Sequence, residues 1–137
     1  MALEFRKTTF LKIYTGEDVM LDDIPLYKAI IREARRLKLA GGTVSRGIEG
    51  YAANLRGIGR AISTFVSGNA NLPVIVEIVD RRENIEKILP FLEKNAEHAL
   101  VLIEDSTFMV TDYMRKNSSA YAKYIEDLQP LDEHKDE

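Results

Sequence analysis

Residues 72–80 read Leu-Pro-Val-Ile-Val-Glu-Ile-Val-Asp. Leu72–Val79 is a nearly continuous run of apolar and β-branched residues, which reads as a strand buried on both faces. Glu77 interrupts the run. A carboxylate there either pairs with a cation of a neighbouring subunit or a polar ligand group, or lies on a wet face.

Toward the N-terminus, a long connection over 51–71 is rich in Gly, Asn, Ser and Arg. Connections of that length in a domain are usually functional or mobile. Before it, Thr43–Ile48 is a short strand candidate, and Gly41-Gly42 breaks the preceding helix. That helix spans Ile24–Lys38, with Leu26, Ile30, Ala34 and Leu37 on one stripe. Pro25 suits its first turn, and Asp22 or Asp23 suits its cap. Thr8–Tyr14 reads as the first strand. Toward the C-terminus, Arg82–Lys94 is a second helix, with Pro90 marking a kink. Ala99–Ile103 is a further strand, extended or paired by Thr107–Tyr113. Ser118-Ser119 opens a last helical stretch containing Tyr121, Tyr124, Ile125 and Leu128, which Pro130 stops.

The order strand, helix, strand, long loop, strand, helix, strand predicts an α+β chain. Its architecture is a ferredoxin-like β-α-β-β-α-β sandwich with a C-terminal extension. Residues 1–113 form the domain, 114–130 a helical extension and 131–137 an acidic disordered tail. The helices cover one face of an antiparallel sheet. A strand as apolar as 72–79 then needs cover on the other face, and a second subunit is the simplest source.

Composition narrows the function classes. The net charge of −3 divides into −5 over residues 126–137 and +2 over residues 1–125. Such a chain is not built for nucleic acid. With no Cys, disulfides, thiolate metal sites and thiol catalysis are excluded. The two histidines, His98 and His134, do not make a His-rich metal site. No apolar run is long enough to cross a membrane, and Met1–Phe10 lacks the apolar core of a signal peptide. The expectation is a cytoplasmic protein.

Chemistry-bearing motifs are sparse. Arg46-Gly47-Ile48-Glu49-Gly50-Tyr51 is Gly-rich, and free backbone N–H groups there can cradle a phosphate. The segment lacks Gly-Lys-Ser/Thr and the dinucleotide fingerprint, and equally describes a bulge and turn at a strand end. Arg46, Arg56 and Arg60 face only Glu49 across residues 43–72, which suits an anion, an acidic partner surface or a solvated loop. The acidic residues Glu17, Asp18, Asp22 and Asp23 lack Ca²⁺-loop spacing and read as capping and solvated groups. His98 reads as a turn residue without triad partners. No catalytic or metal-binding set emerges.

In combination, LKIYTGED at 11–18, PLYKAII at 25–31, LAGGTVSRGIEGY at 39–51, LPVIVEIVD at 72–80 and LIED at 102–105 resemble the PII-like family catalogued as domain of unknown function 190. The resemblance covers roughly residues 9–114. It implies a ferredoxin-like homotrimer with a long loop between the second and third strands. In PII proteins that loop docks on transporters and enzymes, and its base binds adenine nucleotides between subunits. Carried over by position, Thr43 lies near the adenine, and the Gly50-Tyr51-Ala52 backbone lies near the phosphates. Ala52 replaces the second glycine of that pattern, and Lys94–His98 lacks the family's phosphate-loop pattern.

The resemblance thus implies a non-enzymatic regulator with ATP, ADP or AMP as effector. Its ligand-binding residues are Thr43, Arg46, Gly47, Gly50, Tyr51, Ala52 and Glu77. Arg56 and Arg60 lie on the docking loop toward a membrane transporter, ion channel or enzyme. Two other readings stay open. One is an oligomeric scaffolding module without nucleotide. The other is a slow phosphohydrolase using Arg46, Glu49 and Glu77.

Overall fold

A computed structural model describes residues 3–49, 72–122 and 124. The loop 51–71 and the tail 131–137 lie outside them. Strand β1 spans Glu4–Gly16, longer at both ends than its apolar core. A two-residue ribbon follows, β2 (Met20–Leu21) with β3 (Ile24–Pro25). Helix α1 is Leu26–Arg36, and β4 is Thr43–Arg46. After the loop come β5 (Pro73–Asp80) and α2 (Arg82–Ile85). A 3₁₀ turn over Glu86–Ile88 leads to α3 (Leu89–Asn95) and β6 (Leu100–Val110). Two short helices, α4 (Asp112–Lys116) and α5 (Ser118–Tyr121), close the described chain.

The four long strands form one antiparallel sheet in the order β4-β5-β1-β6. β1 and β4 flank β5, and β5 and β6 flank β1, so two crossovers interleave as the ferredoxin-like order requires. The helices lie on one face. Leu11 and Ile13 of β1 and Val76 and Ile78 of β5 pack there against Leu26, Ile30 and Ala34 of α1. Ile85, Ile88 and Leu92 complete the core. Each of these Val, Leu and Ile side chains contributes roughly 1.5–3 kcal/mol by leaving water.

Strand 72–79 departs from its expected burial. Val74, Val76, Ile78 and Asp80 are buried, whereas Ile75, Glu77 and Val79 are half-exposed. The pleat sends alternate side chains to opposite faces, and only one face carries helices.

The helix ends also differ from expectation. Ile24 and Pro25 belong to the ribbon, whose turn is Asp22-Asp23, with Asp22 at φ 55°. Pro25 is the N-cap, and no side chain caps α1. At the other end, the Lys38 N–H donates to Arg35 O and the Leu39 N–H to Ala34 O, with Lys38 at φ 60°. This Schellman closure stops the helix at Arg36, five residues before Gly41. The second helix breaks into α2, the 3₁₀ turn and α3, and Pro90 stands in the first turn of α3. There its missing N–H costs no helical hydrogen bond.

Of the two alternatives for Thr107–Tyr113, extension holds, and the last strand is one. β6 pairs with β1 without interruption from Leu100↔Tyr14 to Val110↔Glu4. Glu104 and Asp105 break the apolar pattern but not the ladder, because both side chains are exposed on an edge strand.

Candidate functional site

Strand β4 leads into the loop that the sequence singled out. Asp80 holds its approach in place. This fully buried carboxylate accepts the N–H of Ala40 at 2.8 Å, the N–H of Arg81 at 2.6 Å and the amide of Asn84 at 2.9 Å. One anion thereby ties the 39–42 segment to the end of β5 and the start of α2. Sequence periodicity missed it, since Asp80 reads as the last residue of an apolar run.

All four residues of β4 are exposed. Thr43 lies opposite Glu77, and Glu77 lies opposite Lys12 of β1. Directly opposed residues project to the same side of a sheet. Thr43, Glu77 and Lys12 thus form a polar row across the helix-free face. Ser45, Ile75, Tyr14 and Leu100 form the next row. Lys12 also stands 4.0 Å from Glu104 and lies over the Phe10 ring. Glu77 is therefore half-exposed beside a cation of its own chain.

At the far end of β4, Arg46 pairs with Glu17 at 2.8 Å. The Gly47 N–H donates to Pro73 O at 2.8 Å, and the Glu17 N–H to Leu72 O at 3.1 Å. A Cβ at Gly47 would meet Pro73 Cγ at 2.6 Å, so the glycine serves close packing of the two loop stems. Its N–H is already used by that carbonyl. The partnership of Glu17 with Arg46 had no sequence signal, because 29 positions separate the residues.

The structure thus brings Thr43, Arg46 and Gly47 onto one strand and its exit, with Glu77 beside Thr43. Gly50, Tyr51, Ala52, Arg56 and Arg60 lie outside the described residues. His98 sits in the turn before β6, 3.4 Å from Glu97. Among the described residues, no group of three or more His, Asp or Glu is placed to hold a metal. No described helix is long and apolar enough to cross a membrane.

Comparison with known proteins places this geometry. In the solved structures, CPII of Thiomonas intermedia K12, bound to ADP, AMP and acetate, aligns over 79% of this chain and 92% of its own. The TM-score is 0.50 at 10% identity. CPII is a nitrogen regulatory PII-like protein, so the shared feature is the PII-like fold. A UPF0166 protein of Methanocaldococcus jannaschii is 38% identical over 100 residues, 72% of this chain and 89% of the relative. A UPF0166 protein of Aquifex aeolicus is 33% identical over 99 residues, 72% and 90% of the two chains. The model of family DUF190, described as Uncharacterized ACR, COG1993, matches residues 8–108. That span reaches into all four strands of the main sheet and both helices of its core: the chain belongs to the DUF190 family.

Proposed function

We propose that this chain is a PII-like regulatory protein and not an enzyme. It assembles as a homotrimer through the helix-free face of its sheet. An adenine nucleotide (ATP, ADP or AMP) binds in the intersubunit cleft at the base of loop 51–71. The loop, with Arg56 and Arg60, docks on a membrane transporter, ion channel or enzyme.

The observation that carries this reading is the uncovered sheet face. Phe10, Tyr14, Ile75, Val79 and Leu102 lie on it, none fully buried within the chain. Apolar area of this kind favours association with a like surface. The polar row of Thr43, Glu77 and Lys12 crosses the same face, where a second chain closes a cleft over it. The Thr43 hydroxyl can donate to a ring nitrogen of an adenine, and the Glu77 carboxylate can accept from its exocyclic amine. The Gly50–Ala52 backbone then meets the phosphates. CPII, with the same fold, binds ADP and AMP. Nucleotide binding biases the loop only by its differential affinity for the loop's states, about 1.4 kcal/mol per tenfold.

Specific observations favour a second reading, an oligomeric module without nucleotide. Arg46 is held by Glu17, the Gly47 N–H by Pro73 O, and Ala52 occupies the second glycine position.

Calorimetric titration of the full chain with ATP, ADP, AMP and cyclic AMP separates the two. Submillimolar binding of at least one of them, near one per chain, is expected. No heat at millimolar ligand would remove the nucleotide and leave the module.

A further inference from the structure

A groove lies at the opposite end of the sheet from the loop base. The ends are marked by the pairs Thr9↔Asp80 and Gly16↔Pro73. Seven residues of strand separate them, about 23 Å at the usual rise. The groove encloses about 540 Å³, and its charged lining is Arg6, Lys7, Arg81 and Arg82 against Glu83 and Asp105.

Four cations thus line the groove with two carboxylates, and Arg6 is further engaged by Glu4 at 2.9 Å. Arg81 lies 3.5 Å from Glu83. Arg82 is 3.8 Å from Asp105, whose side chain is 88% exposed, and 3.5 Å from Glu86. Both Arg82 separations exceed an ordinary charge-assisted hydrogen bond, so its guanidinium retains donor capacity. Among the described residues no carboxylate pairs with Lys7, which is exposed.

Hydroxyls supply further donors. Ser106, Thr107 and Tyr124 line the same groove. Burial and the Asp80 charge hold the Tyr124 phenol above its usual titration range, so it remains a donor at neutral pH. Two arginines beside hydroxyl donors match the several acceptor oxygens of a phosphoryl group better than a single carboxylate.

We propose that this groove is a second, independent anion site that binds the phosphoryl group of a small molecule. Arg82 and Lys7 supply the main charge, and Arg6, Ser106, Thr107 and Tyr124 complete the donor set. The site lies within one chain and does not depend on the nucleotide cleft. Inorganic phosphate and an organic phosphate monoester present the same recognised chemistry.

The test is calorimetric titration of the full chain with inorganic pyrophosphate, inorganic phosphate and glycerol phosphate. The proposal expects at least one probe to bind, with affinity falling tenfold or more in Lys7→Ala/Arg82→Ala. Both substituted side chains are exposed, and circular dichroism checks that the variant remains folded. The double variant Arg35→Ala/Lys94→Ala removes the same charge elsewhere and should change affinity less than twofold. Tighter glycerol phosphate than phosphate identifies a monoester ligand, and the reverse order identifies the free ion. No binding of any probe at millimolar concentration overturns the proposal. So does an equal loss in the two double variants, which marks non-specific charge attraction.

Discussion

Lys38, two residues past the end of α1, closes the helix with φ 60°, a conformation that costs an L-residue roughly 1–2 kcal/mol and glycine very little. Glycine also adds unfolded-state entropy worth about 0.4–1 kcal/mol. Lys38→Gly is therefore expected to stabilise the chain by about 0.5–1 kcal/mol in urea unfolding. A loss of stability would show that the lysine side chain contributes more than its backbone strain costs. Lysine carries no stop signal, so Gly41-Gly42 drew attention from the true end of the helix. Asp22 was misleading for a related reason. An acidic residue just before an apolar period reads as a cap, but here it turns a two-residue ribbon. Asp80 was silent, because burial converts an ordinary strand-end aspartate into a hub only when the 39–42 segment folds over it.

At the scale of elements, the four long strands and two core helices were legible, and their lengths were not. The sequence left open whether Thr107–Tyr113 extends the strand at Ala99–Ile103 or pairs with it. Edge position allows Glu104 and Asp105 to remain solvated while the ladder continues. The C-terminal turns are anchored by Arg115, which bonds Glu4 at the start of β1 and Asp112 in its own helix. Hydrogen bonding first to Arg115 and then to Arg6 lowers the Glu4 pKa from its ordinary value of 4.5. A carboxyl with a lowered folded pKa stabilises the fold above the ordinary glutamate range. That contribution is lost as pH falls through the lowered value. Arg115→Ala should therefore raise the Glu4 midpoint in a carboxyl NMR titration and reduce the loss of stability on acidification. An unchanged midpoint would show that Arg115 does not hold this carboxylate in solution. Sequence offered no hint of this pair, since 111 positions separate the partners.

For the whole molecule, the strand order was readable because each apolar period matched one element and the long loop fell between the second and third strands. The uncovered face was readable indirectly. LPVIVEIV is too apolar for a strand with one wet face, yet in a single chain Ile75 and Val79 remain half-exposed. The candidate site was legible as a list of residues and not as geometry. Thr43 and Glu77 come together through strand register, whereas Arg46 and Gly47 are engaged by Glu17 and Pro73. The basic groove at the other end was not legible, because β1, the start of α2, β6 and the C-terminal turns each bring part of it. On the proposed reading, the uncovered faces of like chains meet and enclose a nucleotide cleft. Native mass spectrometry of the full chain, purified without added nucleotide and then incubated with ADP, tests it most directly. Three chains per particle are expected, with up to three added ADP masses that ligand-free solution removes. A particle of one chain, or a trimer that takes up no ADP, would contradict it.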